Sequence, residues 1–416
     1  MKHMQPTKLK DGIYWIGANV HTEDLFEGIW PIPNGVALNS YIIKSDKIAV
    51  VELVREWGGA AMTFLENLNS LSISTKDIDY IILNHLEPDH TGFTYILRSI
   101  APKAQFITTE KGAALLDAFY DINDNIITVK SGDSIKLGKS KSLEFTEIPH
   151  VHWPETMTSF EPESRILFSG DAFGAFGVHQ GSIFDDETPD ANKPYWESEM
   201  LRYYANIIAM FSPNVIKAIE SLSSFDIDMI APSHGLIWRS NPQVIINKYL
   251  RYANYNKNFA EPEICVIWGS MYGNTEAMLN AILKGISNEG VPVHVHRVPN
   301  ENVSYIIADA YRSSGLVIGT PTYEYSMFPP MKYLMELLQK KHIWYKKILF
   351  FGSYGWSGGA QKDFERLAEN MHWDIFEPIT FKGHPTLEQL ERGEKMGKEI
   401  AIQVKEIPSK IKNEDY

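Results

Sequence analysis

The segment His85-Leu86-Glu87-Pro88-Asp89-His90 places two histidines and two carboxylates within six residues. Imidazole nitrogens and carboxylate oxygens are donor atoms that hold divalent transition metals in proteins. In a loop held by a proline, alternate side chains can point toward one centre while their neighbours reach a second. The segment therefore predicts a metal site in preference to a solvated polar turn, which is the alternative for any one of these histidines taken alone.

Three further candidate ligands each follow an apolar run that is typical of a β-strand. They are His152 after residues 143–148, Asp171 after residues 165–168 and His234 after residues 228–230. Strands of one sheet can bring such ends together, so that four histidines and three carboxylates would meet. This set is large enough for two metals that share one carboxylate, and it suits iron or manganese as well as zinc.

Three other histidines have weaker claims to a ligand role. His150 lies close to His152 in the chain, and we expect it behind the ligands or at the surface. His21 and His179 have glycine-rich or polar neighbours and are predicted to be ordinary surface histidines.

A second feature, Gly269-Ser270-Met271-Tyr272-Gly273-Asn274-Thr275, lies between a predicted strand and a predicted helix. Its small residues let several backbone N–H groups converge at the helix N-terminus, where those donors and the helix dipole stabilise a phosphate. The segment contains no lysine, which excludes the loop of nucleoside triphosphatases. A plain N-capped turn is the alternative for this segment alone.

Two more loops follow predicted strands of the same half of the chain. They are Gly319-Thr320-Pro321-Thr322-Tyr323-Glu324-Tyr325 and Gly352-Ser353-Tyr354-Gly355-Trp356-Ser357-Gly358-Gly359. Their aromatic side chains can stack on a planar ring, and their glycines allow close approach. An open α/β sheet binds its ligands at such strand ends, which favours a cofactor site over an isolated turn.

The elements that must position these residues differ between the two halves of the chain. The first 250 residues mix short strands with helices, one of them predicted over residues 195–210, which indicates a sheet-rich α+β or layered αββα domain. Residues 252–262 are polar, end on a proline and are predicted to form a linker. Strand and helix then alternate in five units, a pattern typical of a doubly wound parallel sheet. Residues 407–416 are expected to fray.

Composition narrows the possible partners. The chain has 416 residues, 39 Lys and Arg against 52 Asp and Glu, and a net charge of −13, which disfavours a nucleic-acid partner. The single cysteine, Cys265, excludes a disulfide framework, a thiolate zinc site and an iron–sulfur cluster. No apolar run is long enough to span a membrane and no signal peptide is evident, so the expected location is the cytoplasm.

The spacing of the first motif resembles the metallo-β-lactamase superfamily, whose hydrolases usually carry histidine at the position of Glu87. Glutamate there, with His152-Trp153-Pro154 and Gly170-Asp171-Ala172-Phe173-Gly174, is similar to the flavodiiron proteins, whose core binds a non-haem diiron centre. The additional oxygen donor favours a harder, redox-active metal over zinc. The resemblance implies one ligand set for each iron: His85, Glu87 and His152 for one, Asp89, His90 and His234 for the other, and Asp171 as the bridge.

The three loops of the second half resemble those of flavodoxin, and that resemblance implies bound FMN. The cofactor-binding residues that it implies are Ser270, Met271, Tyr272, Gly273, Asn274, Thr275, Pro321, Thr322, Tyr323, Glu324, Ser353, Tyr354, Gly355, Trp356 and Gly358. The fold class expected is α/β, with a metallo-β-lactamase-like αββα sandwich over residues 1–256 and a flavodoxin-like doubly wound sheet over residues 262–408. This order of domains is the flavodiiron architecture.

The resemblance implies an oxidoreductase that reduces dioxygen to water without releasing peroxide, nitric oxide to nitrous oxide, or both, with dioxygen favoured. Family members form head-to-tail homodimers in which the partner supplies the flavin, and tetramers are possible. Because the chain has no Cys-x-x-Cys, electrons are expected from a separate protein such as rubredoxin or a flavin reductase.

Three positions depart from the family pattern. Glu27 stands in Phe26-Glu27-Gly28, where many members have a histidine near the irons, and we expect it to act in catalysis by altering pocket charge and proton supply. Glu324 lies in a flavin loop that is rich in asparagine in relatives, and its charge would lower the flavin potential if it points inward. Thr91 follows His90 where a small alanine is frequent, and the sequence offers no interpretation of this change.

Two other functions remain open at this stage. The first is a zinc hydrolase of the metallo-β-lactamase superfamily with a flavodoxin-like appendage. The second is an electron carrier without enzymatic activity, in which the N-terminal half is an inactive scaffold. Glu87 and the complete set of flavin loops argue against the hydrolase, and the seven candidate ligands argue against the carrier.

Overall fold

The computed structural model describes residues 5–411 and divides into two compact units. The first unit contains residues 5–204 and 213–250, and the second contains residues 205–212 and 251–411. The domain boundaries expected from sequence, 1–256 and 262–408, differ from these units at residues 205–212 and 251–256. The fraying expected for residues 407–416 falls partly outside the described residues.

The first unit is built mainly from short strands. Its strands are β1 (Thr7–Lys10), β2 (Ile13–Trp15), β3 (Ala18–Val20), β4 (Val36–Leu38), β5 (Tyr41–Lys44), β6 (Ile48–Val51), β7 (Ile78–Ile82), β8 (Gln105–Thr108), β9 (Ile126–Thr128), β10 (Ser134–Lys136), β11 (Ser142–Glu147), β12 (Met157–Glu161), β13 (Ile166–Gly170) and β14 (Met229–Pro232). Its helices are α1 (Ala60–Ser70), α2 (Pro88–Thr91), α3 (Thr94–Ile100), α4 (Glu110–Tyr120), α5 (Lys193–Tyr203), α6 (Ser212–Leu222) and α7 (Pro242–Asn254). The first residue of α6 and the last four residues of α7 belong to the second unit. Short 3-10 turns lie at Thr75–Asp77, Asp185–Glu187 and Asp190–Asn192.

Two sheets of the first unit pack face to face. One has the strand order β1-β2-β5-β6-β7-β8-β9 and the other the order β10-β11-β12-β13-β14, while β3 and β4 form a separate pair. Trp15 and Tyr41 of the first sheet share one buried cluster with Phe145 and Phe168 of the second. The apolar faces of both sheets are thus buried against each other, which confirms the layered α/β sandwich.

The strands that carry the candidate ligands run in compatible directions. β6, β7, β8 and β9 are parallel in the first sheet, and β13 and β14 are parallel in the second. Parallel neighbours end at the same edge, so Asp171 after β13 and His234 after β14 leave their sheet side by side. The candidate ligands therefore lie on loops that two rigid sheets position.

The helix predicted over residues 195–210 is wrong as a single element. α5 ends at Tyr203, a π-helical segment spans Tyr204–Ile208, and a 3-10 turn follows at Ala209–Phe211. The residues after the break belong to the second unit, where Asn206 Nδ2 donates to Ser304 O at 3.0 Å and Ser212 Oγ lies 3.0 Å from Tyr311 Oη. Apolar periodicity does not reveal such a change of hydrogen-bond register.

The second unit is a doubly wound sheet with helices, as the sequence predicts. Its strands are β15 (Glu261–Trp268), β16 (Val293–Arg297), β17 (Ser313–Tyr323), β18 (Ser326–Met327), β19 (Lys347–Tyr354), β20 (Asp374–Ile375) and β21 (Ile379–Lys382). Its helices are α8 (Asn274–Ser287), α9 (Val303–Arg312), α10 (Pro329–Lys340), α11 (Ala360–Ala368) and α12 (Leu387–Lys405). The central strand order is β16-β15-β17-β19-β20, β21 also pairs with β19, and these pairs are parallel.

The predicted linker, residues 252–262, is shorter than its composition suggests. α7 continues to Asn254 and β15 begins at Glu261. Tyr255 is buried and its hydroxyl donates to Glu261 Oε1 at 2.6 Å, so polar residues here are satisfied inside a packed unit. Among the helices of residues 5–411, none has the length and apolar character needed to cross a membrane.

Candidate metal centre and cofactor pocket

The loop between β7 and α2 carries four of the candidate ligands. β7 ends at Ile82, and α2 begins at Pro88, which suits the first position of a helix because it needs no N–H there. His85 and His90 are completely buried, and Glu87 and Asp89 are nearly so. Ionisable side chains are seldom buried like this unless they are paired or hold a metal, so the loop is built for one of these purposes.

Four ligand atoms form a first group, made by His85, Glu87, His152 and Asp171. The Nε2 atom of His152 lies 2.8 Å from Glu87 Oε2 and 3.1 Å from Asp171 Oδ2. The Nε2 atom of His85 lies 3.3 Å from Asp171 Oδ2. Two imidazoles and two carboxylates thus converge on one point, as the ligands of a single metal ion do.

A second group is made by Asp89, His90 and His234. The Nε2 atoms of His90 and His234 lie 3.0 Å apart, and His234 Nε2 lies 3.0 Å from Asp89 Oδ2. Asp171 faces this group with its other oxygen, because Oδ1 lies 3.0 Å from His90 Nε2. The Asp171 carboxylate therefore stands between two convergent groups, with one oxygen toward each.

Several ligand atoms of the two groups lack the hydrogen bonds that buried polar atoms normally make. Side-chain atoms without a hydrogen-bond partner include His85 Nε2, both oxygens of Asp89 and both oxygens of Asp171. Removing such atoms from water is costly unless a partner replaces the water. Two metal ions would supply those partners, so the residues present suit a dinuclear centre with nitrogen and oxygen ligands.

The electrostatics of the site also favour cations. Burial opposes the charged form of Glu87, but His152 and His85 outweigh burial and lower the pKa of Glu87 to about 2. Burial likewise opposes protonation of His152, yet Glu87 and Asp171 raise the pKa of this ring to about 10. The carboxylates of the site thus attract positive charge strongly, and metal ions would compete with protons for the same ring nitrogens.

Two buried glutamates that the sequence did not single out support the ligand loop from behind. Glu52 Oε1 accepts from the backbone N–H of Asn84 at 2.9 Å, and Glu155 Oε1 accepts from that of Leu86 at 2.9 Å. These amides flank His85, so the two carboxylates fix its backbone on both sides. His234 is held similarly, because its Nδ1 lies 2.8 Å from Ala37 O and leaves Nε2 for a metal.

Tyr203 is a further side chain that sequence reasoning missed. It is completely buried, and its ring lies 5.8 Å from the ring of His234, centroid to centroid. Burial and the negative charge of Asp171 raise the pKa of Tyr203 well above its usual value. The phenol therefore keeps its proton beside the metal ligands. The sequence pattern did not mark it, whereas the structure does, because Tyr203 directly precedes a π-helical segment and such segments are frequent at functional sites.

The remaining predicted residues of this half lie outside both ligand groups. His150 and His21 are exposed, as expected. His179 is buried, which corrects the surface prediction: its Nε2 lies 2.9 Å from Gly235 O, and its ring packs against Trp15. Glu27 is exposed and its Oε2 accepts from Trp30 Nε1 at 2.9 Å, so the structure does not bring this carboxylate to the ligand groups.

In the second unit, a cavity of about 410 Å³ opens at the carboxyl ends of the parallel strands. The predicted cofactor residues that line it are Ser270, Met271, Tyr272, Asn274, Thr275, Pro321, Thr322, Tyr323, Glu324, Ser353, Tyr354, Gly355 and Trp356. Gly273 and Gly358 do not line it, whereas Tyr325, Ser357 and Gly383 do. Gly383 follows β21, so the rule that selects strand ends could have found it.

The shape of this cavity suits a phosphorylated ligand with a flat ring. Gly273, with a φ of 88°, precedes the first residue of α8, and its N–H donates to Ser270 Oγ at 2.9 Å. The first-turn N–H groups of α8 have no partner within the helix and can bind a phosphate. Tyr272 is 90% exposed and Trp356 is 76% exposed, so large rings stand uncovered at the rim. A planar ring bound between such side chains would cover them.

Comparisons with known proteins agree with both sites. Residues 36–235 match the model of the ODP family beta lactamase, and residues 266–395 match the model of the family called flavodoxin. An anaerobic nitric oxide reductase flavorubredoxin from Vibrio vulnificus is 33% identical over 399 residues, which is 94% of this chain and 79% of that protein.

Solved structures are similar over nearly the whole chain. Rubredoxin oxygen:oxidoreductase from Desulfovibrio gigas has a TM-score of 0.89 at 27% identity, over 96% of this chain and 99% of that one. The flavodiiron protein from Giardia intestinalis has a TM-score of 0.90 at 26% identity, over 97% of this chain and 98% of that one. The similarity therefore extends through both units.

Proposed function

This chain belongs to the flavodiiron protein family, and on that premise we propose that it reduces dioxygen to water, and nitric oxide to nitrous oxide, at a diiron centre that FMN supplies with electrons. The observation that carries this proposal is the position of Asp171. Its two oxygens lie 3.1 Å from His152 Nε2 and 3.0 Å from His90 Nε2, in two separate ligand groups. A carboxylate in this position suits a bridge between two irons.

The chain's own residues would hold the cofactors as follows. His85, Glu87 and His152 would bind one iron, Asp89, His90 and His234 would bind the other, and Asp171 would be shared between them. When bound, the two ferrous ions would supply two electrons together and reduced FMN two more, and these four electrons are the number needed to convert dioxygen to two waters. The seven proposed ligands are buried on loops that the two sheets position, so bulk water would be largely excluded from the metals.

Dioxygen is proposed as the favoured substrate, and its reduction needs protons at the buried centre. Four protons are taken up for each dioxygen, against two for each pair of nitric oxide molecules. The protonated Tyr203 phenol lies beside His234, where it can donate a hydrogen bond at this centre. Nitric oxide is proposed as a second substrate because the similar flavorubredoxin from Vibrio vulnificus is named an anaerobic nitric oxide reductase.

Electrons are proposed to come from a separate protein. The sequence contains one cysteine, so these 416 residues cannot form the four-thiolate iron site of a rubredoxin. A rubredoxin or a flavin reductase is the proposed donor. Reduction of the flavin by added rubredoxin and its reductase, measured by absorbance, tests this step directly.

The proposed assembly is a head-to-tail homodimer, with a tetramer as the larger possibility. Electron transfer from FMN to the irons needs a short distance, which a partner chain can provide in such a dimer. Light scattering after size exclusion gives the number of chains. A monomer that keeps full activity would contradict this arrangement.

The first experiment separates the substrates. The purified protein is loaded with iron and FMN, reduced fully without oxygen, and then given dioxygen or nitric oxide while electrodes follow each gas. Rapid loss of dioxygen without peroxide, with slower loss of nitric oxide, is the expected result. If neither gas is consumed although the flavin is reduced and iron is bound, the proposal is wrong.

The same protein can be tested for the alternative function. A zinc hydrolase would bind zinc in preference to iron and would not need FMN. Glu87 argues against it, since its carboxylate adds an oxygen donor that favours iron. Turnover of ester and lactam substrates by zinc-loaded protein would support the hydrolase.

A further inference from the structure

A pair of hydroxyl groups contacts the backbone of the ligand loop. Thr91 Oγ1 lies 2.9 Å from Glu87 O and 3.1 Å from Leu86 O. The same atom lies 2.7 Å from the hydroxyl of Tyr120, the last residue of α4. Thr91 is completely buried, whereas Tyr120 is half-buried.

Chemistry fixes the direction of these hydrogen bonds. A carbonyl oxygen only accepts, so the single proton of the Thr91 hydroxyl points to the carbonyls of Leu86 and Glu87. The bond between the two hydroxyls must then be donated by Tyr120. The result is a directed chain in which Tyr120 donates to Thr91, and Thr91 donates to the backbone that carries Glu87.

The ligand loop needs this support because its helix is too short to stabilise itself. α2 has four residues, whereas an isolated helix needs about 12–15 residues to be even marginally stable in water. Its N-terminus carries Glu87, Asp89 and His90, three of the proposed ligands. With Glu155 accepting from the N–H of Leu86 and Thr91 donating to its C=O, the peptide groups on both sides of Leu86 are held.

We propose that Thr91 and Tyr120 are positioning residues of the diiron centre, whose hydroxyl chain holds the Leu86–Glu87 backbone and thereby directs Glu87 toward the metal of the first group. This inference rests on the proposed diiron site. It also gives a physical role to Thr91, because alanine or valine at this position could not donate the hydrogen bond.

The test compares Thr91→Val, which keeps the shape and removes the hydroxyl, with Thr91→Ser, which keeps the hydroxyl. Each full-length protein is loaded with ferrous iron without oxygen, and a ferrous chelator then removes the metal while absorbance records the rate. Thr91→Val should lose the first iron about 10–100-fold faster than wild type, the range typical of groups that orient metal ligands. Thr91→Ser should stay within about threefold of wild type on the same scale.

Tyr120→Phe tests the other end of the chain. It should speed metal loss less than Thr91→Val, and the double variant should behave like Thr91→Val alone, because Tyr120 acts only through Thr91. Tyr95→Phe, at a tyrosine that is 70% exposed, is the matched control and should leave the rate unchanged. Cobalt substitution gives a second readout, since the visible bands of cobalt report a displaced Glu87 even where the fold is intact.

Several results would overturn the inference. They are an unchanged rate in Thr91→Val, an equal defect in Thr91→Ser, or additive defects in the double variant. If Thr91→Val does not fold, Tyr120→Phe decides alone, and an unchanged rate and cobalt spectrum there count against the proposal. Failure of the wild-type protein to bind two metals would instead refute the proposed diiron site. A wrong diiron site can therefore be told apart from a wrong role for Thr91 and Tyr120.

Discussion

The ring of Phe26 meets the ring of His234 edge to face, with centroids 5.7 Å apart and planes at 76°. Phe26 is 2% exposed, whereas Glu27 beside it is turned outward with a φ of 51°. The indole N–H of Trp30 donates to the Glu27 carboxylate at 2.9 Å. This segment thus presents an apolar edge to the proposed iron ligand and keeps its charge at the surface.

The first prediction is that substitutions at Glu27 and at Phe26 have different effects. Glu27→Gln should change the rate of gas consumption by less than about twofold, because substitutions of exposed side chains are usually nearly neutral. Phe26→Ala should lower the free energy of unfolding by about 3–5 kcal/mol, because it leaves a cavity against His234. Gas electrodes and urea titration measure the two effects. A large loss of turnover in Glu27→Gln would instead support the catalytic role expected from sequence.

The second prediction concerns the bridging carboxylate. Asp171→Asn removes the negative charge that faces both ligand groups, so the protein should bind fewer than two irons per chain. Its gas consumption should fall by at least about 100-fold, since removing a ligand costs more than removing a group behind it. Iron analysis and electrodes check this. FMN content and flavin reduction should be unaffected.

The control for this variant is Asp190→Asn, at a side chain that is 93% exposed. It should keep both irons and full activity. An electron carrier without a metal function would also keep its activity in Asp171→Asn, so equal activities in the two variants would count against the proposed reductase.

The sequence predicts much of this site because its ligands follow strands. His152, Asp171 and His234 each come after an apolar run, and the structure brings all three to the loop that follows β7. Such a pattern shows both the residue type of a ligand and its place in the fold, because a histidine or carboxylate stands out directly after an apolar strand. The same rule located most of the cofactor pocket and could have added Gly383.

The residues that sequence reasoning missed act through long-range contacts. Glu52 interrupts an apolar run directly after β6, a signal that could have marked it, whereas Glu155 has no such signal, and only the fold shows that both accept from amides of one loop. His179 looked like a surface residue because its neighbours are polar, yet it lies between Trp15 and Trp196. Local composition carries no information about partners that are distant in the chain.

The third prediction concerns the flavin. Glu324 lines the cofactor cavity and is itself exposed. A negative charge there disfavours negative charge on a reduced ring, so Glu324→Gln should raise the flavin potential. The effect of an exposed charge is at most about 1 kcal/mol, which is on the order of 20 mV for a two-electron couple.

Anaerobic titration of flavin absorbance against reference dyes measures this shift, and it should shrink at high salt because salt screens exposed charges. Glu336→Gln, on the neighbouring helix α10, changes the same charge at a residue that does not line the cofactor cavity. Equal shifts in both variants would show that net charge, rather than the position of Glu324, sets the potential.

The fourth prediction gives the acid sensitivity of the first unit. Burial lowers the pKa of His179 from 6.5 to about 4, although the carbonyl of Gly235 opposes this shift. Below pH 6.5 the His179 ring binds a proton in the unfolded chain, whereas in the folded chain it stays neutral down to about pH 4. The stability from the neutral ring is therefore complete above pH 6.5 and is lost as the pH falls, by about 3 kcal/mol in all.

His179→Gln removes this titration and keeps a donor for the Gly235 carbonyl, so its free energy of unfolding should depend less on pH between 6.5 and 4. Urea titrations of wild type and variant at several pH values measure the slopes, and loss of metal in acid affects both proteins alike. Parallel slopes for wild type and His179→Gln would mean that the buried ring takes up its proton at the same pH in both states, and that burial does not control its charge.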